Sequence, residues 1–364
     1  MAERHRSEAR APLFGALLAA LAVAATASSP AAPGAVKAIP LPGASGPLDL
    51  DYLACDRATG RVWVPAAGTG SVDVIAPRTL AVTRIGGFPT AKRIIRGREF
   101  VLGPTAVALG DGVAYVANRG DSRICAVDVK RLRLGRCLAL GSGPDDLASS
   151  PDGIAYVGAV KELWVTQGAP PLGIMPPDHS IVVLDASTPG VLVPKTRIAL
   201  AGAAEGYAVD DRGGTFYTNL ADRDRTLAID VRTHRVRATW SPGCGSEGPR
   251  GIAIDTGRGF VCVACTDKVI VLDAVHGGAT LATLAAGAGI DNIDYVEGRR
   301  ELFVAAGKDG TLTVLRVGDR GALEVVATTP TVPGARVVVA DAEGTAYMID
   351  PRAGRILALP TDAR

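Results

Sequence analysis

Histidine and aromatic residues are scarce in this chain. Four His occur among 364 residues: His5 near the start, and His179, His234 and His276 in loop-like or turn-like stretches. No nucleophile stands at a recognisable spacing from a base, so triad or His-centred acid–base chemistry has no support. Phe, Trp and Tyr make up only 4% of residues, which argues against a surface of stacking platforms for sugars or bases. Charge of one sign is lacking too, since 39 Lys and Arg stand against 37 Asp and Glu, a net of +2. Binding phosphate backbones or anionic membranes needs a concentrated basic face, and no strong nucleic-acid signal is present. The chain has 44 Gly but no glycine-rich phosphate loop at a strand–helix junction.

The N-terminus reads as a secretory leader. Arg4, Arg6 and Arg10 precede an apolar run from Leu13 to Ala25, and Ala25-Thr26-Ala27 has the small-x-small form that signal peptidase accepts. The run is short for a membrane span of about 20 residues, and no Cys follows closely enough for lipidation, the first being Cys55. The pattern predicts a cleaved signal at 1–27, a linker at 28–35, and a periplasmic or secreted protein with no membrane span after cleavage. The remaining 36–364 exceed one simple core, so two domains or a repeat array are expected.

The many Gly and the 24 Pro separate short periodic segments, which favours strands joined by tight turns. One template recurs: an apolar strand, a turn, a strand with a central aromatic, a polar turn, a Val/Ile/Leu strand closing on Asp, and a Thr/Arg-led strand. "TAVALGDGVAYVANRGDSRICAVDVKRLRLGRCLALG" from Thr105 shows it fully, and "EGYAVDDRGGTFYTNLADRDRTLAIDVRTHRVRATW" repeats it. Seven copies follow one another, and the last, "RVVVADAEGTAYMIDPRAGRILALPT", stops after three strands. A four-stranded unit cannot bury both faces alone, and stacking such units radially leaves only short protected edges. The prediction is an all-β, seven-bladed β-propeller of four-stranded antiparallel blades. "VKAIPLPG" (Val36 to Gly43) resembles the outer strands and is expected to close the last blade from the N-terminal side.

Trp63, Tyr115, Trp164, Tyr217, Phe303 and Tyr347 recur in one register, with Cys262 replacing the aromatic in the fifth copy. One per blade, they read as core between blades rather than as a stacking set. Asp128, Asp185, Asp230 and Asp273, which close third strands, are expected to bond the following turn.

"AYVANRGDSRICAVDV" and "ELFVAAGKDGTLTVLRV" resemble the YVTN repeat, and the chain is similar to YncE-like exported bacterial propellers across nearly all of its mature length. It departs at two insertions, "FPTAKRIIRGREFVLG" (88–103) and "GAPPLGIMPPD" (168–178). The resemblance implies an exported seven-bladed propeller, and related propellers include metal-dependent lactonases and quinone-cofactor dehydrogenases. The Trp-docking motifs of quinone propellers are missing, which speaks against that cofactor.

Propeller ligands usually bind at the channel mouth where the innermost strands begin. Aligning the first strands places Leu48 or Asp49, Thr105, Asp152, Glu205, Arg250, Asp291 and Arg336 there, with Asn292 beside Asp291. In the third blade Asp145 competes with Asp152, because "GPDDLASS" also matches "GPTAVALG". Charge at a narrow channel is expensive unless paired, so acids and arginines could simply pair around the ring. Asp152, Glu205, Asp291 and Asn292 also offer hard oxygen ligands for Ca²⁺, whereas Arg250 and Arg336 oppose a cation and suit a carboxylate or phosphate held bidentately.

The expected function is a monomeric binding module that recognises a protein partner or small anionic ligand at this mouth. The insertion 88–103, with Lys92, Arg93, Arg96 and Arg98, would be a basic lid. The alternative is a metal-dependent lactonase-type hydrolase with Ca²⁺ in the channel; no other cofactor is expected. Six Cys in an oxidising compartment suggest disulfides. Cys125 pairs with Cys137 if their strands are in register, and Cys244 can reach Cys265, which leaves Cys55 and Cys262. "CVAC" at Cys262 lies on a strand, without the helix N-terminus a redox CxxC uses.

Overall fold

A computed structural model of the chain describes Met1 and residues 35–95, 97–143, 145–168 and 178–361. The expected leader and linker lie outside the described residues except for Met1 and Ala35, and so does most of the insertion at 168–178. Residues 31–364 form one unit.

Seven four-stranded antiparallel sheets follow in chain order, each strand pairing with the next. Their innermost strands are Ala54–Asp56, Pro104–Gly110, Pro151–Val157, Ala204–Asp210, Ile252–Asp255, Ile290–Val296 and Val338–Ala340. These seven neighbour one another in a closed ring around a central channel. The third blade starts at Pro151, so Asp152 and not Asp145 occupies the innermost position. Second strands such as Val113–Asn118 are buried along their whole length and third strands such as Arg123–Asp128 along their central residues, because a neighbouring blade covers each face. Outer strands such as Arg133–Ala139 are mostly exposed.

Seven apolar clusters fill the seven junctions between blades. Trp63, Tyr115, Trp164, Tyr217, Cys262, Phe303 and Tyr347 supply one side chain to each, all buried. The third-strand acids are turn caps as expected: Asp128 accepts from the amides of Lys130 and Arg131, and Asp230 from those of Arg232 and Thr233. Asp185 and Asp273 do the same.

The last blade is completed by Lys37–Pro40, which pairs antiparallel with Arg355–Pro360, Ile39 opposite Ile356. Ile39 and Leu41 are buried there, so the two ends of the chain close the ring through one sheet. Both expected disulfides are present, Cys125–Cys137 between directly paired residues and Cys244–Cys265 from a loop to the end of a strand. Cys55 and Cys262 are free, and burial raises both thiols to about 12.

The insertion at 88–103, expected as a basic lid, forms a two-stranded hairpin, Ala91–Ile95 against Arg98–Leu102. Leu102 and Phe88 anchor it by burial. Its basic residues are partly neutralised: Lys92 meets Glu99 at 3.0 Å and Arg93 meets Asp145 at 2.9 Å. Arg96 and the side chain of Arg98 lie outside the described residues.

Candidate functional site

The inner strands lose regular pairing where they enter the channel. Register shifts fall between Pro104 and Ala106, Pro151 and Ile154, Glu205 and Tyr207, and Ile290 and Ile293. Such bulges re-aim side chains beside functional sites, and these four bracket Thr105, Asp152, Gly206 and the pair Asp291-Asn292. Gly206 has φ +69°, and a Cβ on it would meet the Arg250 carbonyl at 2.6 Å, so only glycine fits this bulge. Gly153 is needed for a different reason: its missing Cβ leaves the space filled by the Tyr207 ring.

The mouth residues form a mixed-charge cluster. Arg119, 2% exposed, donates to Asp152 and stands 3.9 Å from Asp49. Arg336 donates to Asp291. Tyr52, from the segment leading into blade one, donates its hydroxyl to Glu205 of blade four and so spans the channel. Its ring lies 5.5 Å from that of Tyr207, whose hydroxyl is 2.8 Å from Thr166 Oγ1. Asp51 lies among the same charges, those of Arg336, Arg119, Asp152 and Asp49. The cluster therefore holds five carboxylates, Asp49, Asp51, Asp152, Glu205 and Asp291, against the guanidiniums of Arg119 and Arg336.

Burial and mutual repulsion set the proton affinities. Glu205 is pushed up to about 8, by burial first and then by the charges of Asp152 and Asp291. Burial lifts Asp51 to about 7 against the pull of Arg336 and Arg119. Asp152 is also raised by burial, with Arg119 opposing. For both arginines burial disfavours the charge, but the carboxylates outweigh it, so each binds its proton more tightly than usual.

The predicted mouth residues are not all brought together. Asp49, Asp152, Glu205, Asp291 and Arg336 join the cluster, and Thr105 is buried at its strand entry. Arg250 instead donates to the carbonyl of Glu247 at 3.1 Å, turned onto the short helical turn Gly245–Glu247. Asn292 lines the channel cavity and donates its backbone amide to the Arg336 carbonyl.

The calcium donor set suits its ion poorly. Asp152 and Asp291 each hold an arginine, Glu205 accepts from Tyr52, and among the described residues no three acidic, His or Cys side chains are arranged to hold a metal. Arg119 and Arg336 each already hold a carboxylate, while Arg119 Nε is buried without a hydrogen-bond partner.

Asp51, Tyr52, Arg119 and Tyr207 were not singled out by sequence reasoning. Arg119 carried a signal: four residues beyond the central aromatic (or Cys262), the other copies have the uncharged Ala67, Gly168, Ala221, Thr266, Gly307 and Pro351. The amides of Arg119, Gly168, Ala221 and Gly307 make the same corner bond to the lead-in of their own inner strand. Only Arg119 adds a charge that reaches inward. A channel cavity of about 280 Å³ is lined by both tyrosines, by apolar side chains such as Leu53, Val107, Ile154 and Ile293, and by the Arg57–Asp294 pair (2.6 Å).

No protein-family model and no curated protein matches the sequence. Solved structures do match in fold. A chain of the mitotic checkpoint complex aligns with TM-score 0.67 and 13% identity, over 97% of this chain and 100% of that one. Hydrazine synthase of Kuenenia stuttgartiensis aligns at 0.66 and 16%, over 89% and 97%. The WD40 β-propeller domain of Doa1 aligns at 0.61 and 12%, over 88% and 95%. The chain is thus a seven-bladed β-propeller, and identities this low speak for the fold alone.

Proposed function

We propose that the protein is a recognition module whose ligand engages the channel mouth. One observation carries this reading: charged side chains from several blades converge at one end of the channel, where folding needs none of them. Burying charge costs stability, and a ring closed by apolar junctions could tolerate small neutral residues at these positions. The fold does not choose the function by itself, since its relatives above include both a member of a complex and an enzyme. Two disulfides suit an oxidising compartment, in keeping with a periplasmic or secreted protein and with the likeness to exported YVTN-repeat propellers. Among the described residues no helix is long and apolar enough to cross a membrane.

The test places a photoreactive benzoylphenylalanine at Asp49, whose side chain is 40% exposed at the mouth, or at Val275, 70% exposed on a third-to-fourth-strand turn at the opposite end. Adducts formed in the native cells should come from position 49. Adducts confined to position 275 would remove the mouth as the site.

A further inference from the structure

Every carboxylate of the mouth cluster but one has a direct partner. Asp49 and Asp152 face Arg119, Asp291 faces Arg336, and Glu205 accepts from Tyr52. Asp51 is 8% exposed and, among the described residues, makes no hydrogen bond or ion pair. The charges acting most on it belong to Arg336, Arg119, Asp152 and Asp49, so it sits among the charged groups of the mouth. A largely buried carboxylate without a protein partner is costly, and it is relieved by a proton, by water or by a ligand.

We propose that the mouth binds a primary ammonium group, seated against Asp51 and Glu205 above the rings of Tyr52 and Tyr207. The proposal rests on the mouth being the recognition site. Charge favours a cation: five carboxyl groups face two guanidiniums that each already hold a carboxylate, and an ammonium beside Asp51 and Glu205, whose protons are otherwise held tightly, would draw both into their charged forms. Geometry selects the kind of cation. An ammonium is a compact charge with three donors that can be shared among oxygens from different strands, whereas a guanidinium needs a coplanar fork. Divalent metals need several acidic ligands converging on one point, which the described residues do not provide. The tyrosine pair adds aromatic faces, which attract cations when desolvated.

The experiment follows the melting temperature of the full chain at pH 8 with n-butylammonium chloride, a lysine-bearing tripeptide blocked at both ends, sodium butyrate or calcium chloride, at constant ionic strength. Both amines should raise it saturably, and Asp51→Asn should weaken that effect by about tenfold or more, as expected for loss of a charged hydrogen bond. Glu205→Gln should weaken it as well, which serves if Asp51→Asn folds poorly, while exposed Asp267→Asn should change nothing. A stronger effect of the peptide identifies a polypeptide lysine as the source, and a stronger effect of butylamine a free amine. No amine effect, an effect unchanged in both mouth variants, or a larger effect of calcium or butyrate overturns the proposal. If crosslinking from position 49 succeeds while amines do nothing, the ammonium reading fails and the mouth stands.

Discussion

Glu205 shows how one residue can be visible in sequence while its partner is not. Comparing the copies picks it out as an acid where other blades carry Thr, Asp or Arg, yet its partner Tyr52 lies 153 positions away. Its raised proton affinity, about 8 instead of 4.5, has a consequence for stability. The folded state binds the proton more tightly than the unfolded chain, so this contribution is fully present below pH 4.5 and is lost as pH rises through 8. Asp51, raised to about 7, acts in the same direction. Glu205→Gln, always neutral, should therefore melt higher than wild type at pH 9, with the gap shrinking or reversing by pH 5. Calorimetry across that range measures it, and a gap independent of pH would contradict the assignment. Arg119 was harder to see, because its backbone follows the repeat and only its side chain departs from it.

At the scale of elements, the hairpins were legible because their signals are local: alternating apolar residues, Gly or Asp at turns, and an aromatic in fixed register. The Cys125–Cys137 link was legible on the same ground, since third and fourth strands of one blade must pair. The hairpin at 91–102 was less so, as its basic residues suggested a lid and not a strand pair, and burial of Leu102 and Phe88 anchors it. The two disulfides close segments of 12 and 21 residues, for which loop entropy gives about 3 kcal/mol each. The double variants Cys125→Ala/Cys137→Ala and Cys244→Ala/Cys265→Ala should each lower stability by about that amount in urea titrations. Loss of well under 1 kcal/mol in either would mean that its bridge constrains little.

The whole molecule depends on closing the ring. Removing residues 36–41 takes away the outer strand of the last blade, with the buried side chains of Ile39 and Leu41. At about 1.5–3 kcal/mol for each buried aliphatic side chain, the loss should be about 4 kcal/mol or more, with broadened, less cooperative unfolding. An unchanged, sharp transition in the truncated protein would show that the ring holds without its closing strand.

The sequence by itself determined the number of blades, the role of each strand, the interblade aromatics and the origin of the closing strand. These follow from local periodicity and from one template repeated seven times, and short-range rules suffice to read them. Tertiary structure alone decided the mouth: which charges pair, which way Arg250 turns, and why Asp51 is left without a partner. Bulges at the strand entries break the two-residue period that points side chains to known faces, and the ring then sets groups from distant blades against one another. No local pattern encodes those distances.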